Sequence, residues 1–74
     1  MITIQVIRNS TGEPASNERV SLTFDGPLRG VMPAVMTNDN GEAYFDSKPG
    51  NGKVNINGNA KYKGHLNGHV VVYI

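Results

Sequence analysis

The sequence predicts an all-β domain, a sandwich or barrel of short strands. Three observations carry that prediction. Apolar residues alternate with polar ones in several short runs, among them Ile2-Ile4-Val6, Val20-Leu22-Phe24 and Val54-Ile56, which is the period of a half-buried strand. Nine Gly and four Pro interrupt the chain so often that no helical period of useful length develops. The stretch Thr37-Asn38-Asp39-Asn40-Gly41-Glu42-Ala43-Tyr44-Phe45 places an Asn-Gly reversal between two alternating runs, and both residues tolerate positive φ. It reads as a hairpin corner that fixes register, with Val35, Ala43 and Phe45 inward and Tyr44 outward.

Each element follows from the same pattern. The first strand runs from Ile2, with Ile2, Ile4 and Val6 on one face and Thr3, Gln5 and Ile7 on the other. Asn9 to Pro14 is a loop of turn formers. Its sequon Asn9-Ser10-Thr11 reads as accidental, because no secretory signal precedes it. A second strand covers about Arg19 to Asp25 and ends at Gly26-Pro27, since proline cannot donate to a ladder. The segment Pro27 to Pro33 has no period but holds Leu28, Val31 and Met32 beside Arg29; it is expected to cap one end of the sandwich or to offer an apolar loop to a partner. Strands three and four are expected at about Ala34–Asn38 and Glu42–Asp46, and a fifth at Lys53–Asn57. A short sixth at Ala60–Lys63 suits an edge position, because lysines discourage edge-to-edge pairing. Gly64 to Gly68 reads as a turn, and Val70-Val71-Val72-Tyr73-Ile74 closes the chain. That last strand is apolar on both faces, so it is expected to be central in a sheet or covered by another copy of the chain.

At 74 residues the chain is expected to form one domain, and domains near this size bury only ~60% of their unfolded surface. It contains no cysteine, so neither disulfides nor thiolate chemistry are available. No apolar run approaches membrane-span length, and the N-terminus lacks a signal-peptide layout; the expectation is a cytoplasmic protein without a membrane partner. The net charge of +1 is unevenly spread. Residues 1–46 hold all six acids and three Arg, and residues 47–74 hold four Lys and no acid. A basic half of this kind can meet an anionic polymer, although four lysines are thin support for nucleic-acid binding.

The order of features resembles the carboxypeptidase regulatory-like domains of the transthyretin-like (prealbumin-like) group. The residues concerned are Ile2 to Val6, the turn Gly12-Glu13-Pro14, the strand Val20-Ser21-Leu22, the Thr37 to Phe45 stretch, and Pro49-Gly50 before Lys53-Val54-Asn55-Ile56. The resemblance implies an Ig-like (prealbumin-like) Greek-key β-sandwich of about seven short strands, used as an accessory or interaction module rather than a catalyst. Fold analogy does not by itself supply a function. The similar hydroxyisourate hydrolases end in Tyr-Arg-Gly-Ser, whereas this chain ends Val72-Tyr73-Ile74. The similar collagen-adhesin B-type sandwiches cross-link a first-strand Lys to a last-strand Asn or Asp, and neither residue is present here.

Chemistry-bearing patterns are sparse, and no catalytic, cofactor or metal residues are expected. His65 and His69 have the helical spacing of zinc ligands, but Gly64 and Gly68 oppose a helix, and on a strand they would stand roughly 13 Å apart. Asn38-Asp39-Asn40-Gly41 resembles the middle of a calcium loop, but Met36 and Ser47 stand where oxygen ligands are required. The functional expectation is a non-enzymatic module acting by protein–protein contact, including self-association as a homodimer through the last strand. Leu28, Arg29, Val31, Met32, Tyr44, Val71 and Tyr73 are the candidate contacts. Two alternatives are a carbohydrate or polymer site built from Asn55 and Asn57 with Tyr44 and Tyr62, and an anion site on the lysine-bearing second half.

Overall fold

The structure, a computed structural model, describes residues 1–26 and 32–74. Among these residues seven strands form: β1 Ile2–Ile7, β2 Arg19–Phe24, β3 Val35–Met36, β4 Glu42–Phe45, β5 Gly50–Ile56, β6 Asn59–Leu66 and β7 His69–Tyr73. They make two sheets, a three-stranded β4-β1-β7 and a four-stranded β3-β2-β5-β6. The all-β sandwich expected from alternation is therefore present. Its core is the set of inward positions that alternation selects. Ile2, Ile4 and Val6, Val20, Leu22 and Phe24, Ala43 and Phe45, and Val54 and Ile56 are all buried, joined by Leu66, Val70 and Val72.

Among the described residues every strand pairing is antiparallel except one. β1 and β7 run parallel, with Thr3 opposite His69, Gln5 opposite Val71 and Ile7 opposite Tyr73. This long-range pairing brings the first and last strands together and leaves β7 at the sheet margin.

Three expectations are corrected. The Thr37–Phe45 stretch is not a hairpin: β3 pairs with β2 in one sheet and β4 with β1 in the other. The reversal instead carries the chain between sheets. Asn38 Oδ1 accepts the backbone N–H groups of Asn40 and Glu42 at 2.9 and 3.1 Å, an Asx-type closure that needs no paired strands. Gly41 is buried with φ of 74°, and its carbonyl accepts the Val6 N–H at 2.7 Å. A Cβ there would lie 2.6 Å from the Val6 carbonyl oxygen.

The second correction concerns β6, which extends to Leu66, so most of the expected Gly64–Gly68 turn is strand. Gly64 sits opposite Gly52, where two residues without Cβ continue the ladder. The third concerns β7, which is marginal rather than central; Val70 and Val72 face the core while Val71 and Tyr73 are exposed. Met32, expected either in an end cap or in an apolar contact loop, is partly buried. It packs against the core and its N–H donates to the Leu22 carbonyl at 2.8 Å. Leu28, Arg29 and Val31 lie outside the described residues.

Candidate functional site

The strongest candidate is the open edge of β7 together with the outer face of its sheet. Two backbone bonds establish which groups of β7 are committed to β1: Thr3 N–H donates to the Gly68 carbonyl at 2.7 Å, and Ile74 N–H donates to the Ile7 carbonyl at 2.9 Å. In a parallel ladder, alternate residues of one strand turn both N–H and C=O toward the same neighbour. Val70 and Val72 therefore bond to β1. His69, Val71 and Tyr73 turn their backbone groups to the side where, among the described residues, the sheet has no further strand.

The other three sheet margins carry devices that oppose strand addition. β3 is two residues long and follows Pro33. β4 is four residues long and is bracketed by Glu42 and Asp46. β6 carries Lys61 and Lys63 and has a register shift opposite Val54/Asn55. β7 reads His69-Val70-Val71-Val72-Tyr73, with no Asp, Glu, Lys, Arg or Pro in it. It is rich in the β-branched and aromatic types that fit a pleated ladder.

Side chains extend this edge into a face. Alternation and register bring Glu42 and Tyr44 of β4, Thr3, Gln5 and Ile7 of β1, and His69, Val71 and Tyr73 of β7 to one side of the sheet. Tyr44 is 48% exposed and Tyr73 60%. Three of the sequence-predicted contacts, Tyr44, Val71 and Tyr73, thus share a surface although they come from distant parts of the chain. The face is internally tied: His69 Nε2 lies 2.9 Å from Gln5 Oε1, and the Tyr44 hydroxyl donates to Glu42 Oε1 at 2.7 Å. The bond to Glu42 holds the Tyr44 phenol above its ordinary pKa of 10.0, because it stabilises the protonated form. Gln5 and His69 were not marked by the sequence; only the non-local β1–β7 pairing makes them neighbours.

The other groupings weighed from the sequence lie apart. His65 lies on β6 with its Nδ1 3.0 Å from Asn51 Oδ1, whereas His69 is on β7 in the opposite sheet. Among the described residues no group of three or more His, Cys, Asp or Glu could hold a metal ion. Asn57 is not on a strand face. It forms the β5–β6 turn with φ of 52°, and its side chain accepts from Arg19 N–H and donates to Glu18. Tyr62 packs against the core, and Tyr44 belongs to the other sheet, so the expected sugar platform of amides and rings is dispersed. No family model, curated protein or solved structure matches the chain.

Proposed function

We propose that the protein is a non-enzymatic interaction module that acts by protein–protein contact, and that β7 is its contact strand with a second copy of the chain as partner. The observation that carries this reading is the unguarded margin of β7 in a domain whose other sheet margins are guarded. The strand is also self-complementary. If two copies pair antiparallel about Val71, each Val71 meets its counterpart and each His69 meets the partner's Tyr73. All of these residues turn their N–H and C=O outward, so each facing pair exchanges both of its backbone bonds. The same register sets Val70 opposite the partner's Val72, so core residues stay on the core side and both sheets continue without a flip of face. The resemblance to carboxypeptidase regulatory-like domains, with an Ig-like Greek-key arrangement, agrees with an accessory role and is part of the proposal.

The contact is expected to be modest. A net gain of ~1 kcal/mol per intermolecular backbone bond must offset an association penalty of about 4–15 kcal/mol. The remainder comes from burying Val71 and Tyr73. Sedimentation equilibrium from micromolar to millimolar protein tests the reading. The expected mass rises toward twice 8.0 kDa, and Val71→Lys, which sets two like charges opposite each other at the dyad, returns it to the monomer. A mass of 8.0 kDa throughout the range would remove the proposal.

A further inference from the structure

The outer face of the four-stranded sheet is a second, chemically different surface. Its rows are fixed by the ladder: Ser21 opposite Asn55, then Thr23 opposite Lys53 opposite Lys63, then Asn51 opposite His65. Lys61 is the extra residue where the β5–β6 register shifts, and Arg19 lies further along β2. Lys53 and Lys63 are both exposed and stand directly opposite on the same face. Like charges in that relation oppose each other.

Edge protection explains lysines on β6, but it does not explain Lys53. β5 is an interior strand with β2 on one side and β6 on the other, so a lysine there guards nothing. Among the described residues the one ion pair is Arg8–Glu18, away from these rows. Asp25 is the nearest acid by register, at the end of β2 beside Asn51, to whose carbonyl its N–H donates at 2.9 Å. The platform under the lysines is fixed: Asn55 Nδ2 donates to Thr23 Oγ1 at 2.9 Å and to Ser21 Oγ at 3.4 Å. The result is a surface of paired cations flanked by amides and hydroxyls, with Asp25 at one end.

We infer that this face binds an acidic polysaccharide, a polymer presenting carboxylate or sulfate groups among hydroxyls, with the Lys53–Lys63 pair as its anion contact. Charge complementarity selects a polyanion. The make-up of the rows selects among polyanions: no Phe, Tyr or Trp stands in them, the one ring being the His65 imidazole tied to Asn51, and single-stranded nucleic-acid binders rely on large rings on which bases stack. Asn51, Asn55, Ser21 and Thr23 instead supply the amides and hydroxyls that suit sugar hydroxyls. This face is on the opposite sheet from β7, so the inference stands whether or not the chain self-associates.

Calorimetric titration of the intact protein with dextran sulfate, polygalacturonate, unmodified dextran and oligothymidylate tests it. Binding is expected to one or both acidic polysaccharides, falling with added salt, and not to dextran. Lys53→Gln and Lys63→Gln are each expected to weaken it roughly two- to fivefold while raising the thermal midpoint, because each relieves the like-charge pair. Lys48→Gln makes the same charge change in the β4–β5 loop and is expected to leave affinity unchanged. Failure of both acidic polysaccharides to bind, oligothymidylate binding as tightly as they do, or equal weakening by all three substitutions would overturn the inference.

Discussion

Replacing Thr37 by Val should destabilise the fold more than any other near-isosteric change in it. Thr37 is 3% exposed and stands where β3 gives way to the turn between sheets. Its hydroxyl donates to the Ala15 carbonyl at 2.6 Å and accepts the Glu18 N–H at 2.9 Å. Its backbone adds N–H to Glu18 O at 2.9 Å and accepts from Asn17 N–H at 3.1 Å. Together these bonds sew the loop before β2 to the end of β3. Valine preserves the shape and deletes both hydroxyl bonds, leaving the carbonyl of fully buried Ala15 and a part-buried N–H without partners. Each buried orphan costs about 1–3 kcal/mol, so the expected loss is about 2–5 kcal/mol. For a chain of this length total stability is about 4–11 kcal/mol, so the loss takes a large share. Thr37→Ser keeps the hydroxyl, removes one methyl and should cost only about 1 kcal/mol. Urea unfolding at neutral pH measures both through the midpoint at constant m. A valine variant within ~0.5 kcal/mol of the parent, or a serine variant less stable than the valine one, would refute the reasoning.

Gly41→Ala combines a left-handed backbone with a Cβ 2.6 Å from the Val6 carbonyl oxygen; a loss of about 2 kcal/mol or more is expected in the same assay, and a neutral result would mean that the turn does not dock on β1 as described. Gly52→Ala would drive its Cβ into the Thr23 carbonyl within the β2–β5 ladder, so thermal melts should show a large drop, whereas Gly58→Ala, with open space around it, should show a smaller one from its φ alone. The Tyr44 phenol should titrate above 10.0 when followed by NMR, because its bond to Glu42 favours the protonated ring. In Glu42→Ala its pKa should fall. The sign is that of a raised folded-state value, so the bond persists below that pKa and is lost as pH rises through it; an unchanged titration in Glu42→Ala would contradict the assignment.

The parts of this fold legible in sequence are those that depend on parity. Ile2-Ile4-Val6, Val20-Leu22-Phe24 and Val54-Ile56 lie inward as alternation dictates, and Ala43 and Phe45 inward force Tyr44 outward. Parity is local, so it says which face a residue takes and nothing about which strand lies beside it. The Thr37–Phe45 stretch shows the limit: an Asn-Gly reversal forms in a hairpin or between sheets, and only the separate partners of β3 and β4 distinguish the two. The central position considered for β7 failed for a related reason. Three consecutive valines suggest cover on both faces, yet Val71 is exposed at a sheet margin, and nothing local marks a margin. The short β6 expectation failed at Gly64, where glycine reads as a break but here lies opposite Gly52 in a continuing ladder. The candidate site was half legible: Tyr44 was marked as outward and Val71 and Tyr73 as candidate contacts, but their common face arises from the parallel β1–β7 pairing across most of the chain length.

Amide hydrogen exchange of β7 as a function of protein concentration is the most direct test of the proposed self-pairing. The amides of Val70 and Val72 are bonded to β1 in every state and should exchange slowly and independently of concentration. Those of His69, Val71 and Tyr73 point to the open edge and should slow as concentration rises, in parallel with the mass, and lose that dependence in Val71→Lys. Exchange at His69, Val71 and Tyr73 that does not change between dilute and concentrated protein would contradict the account.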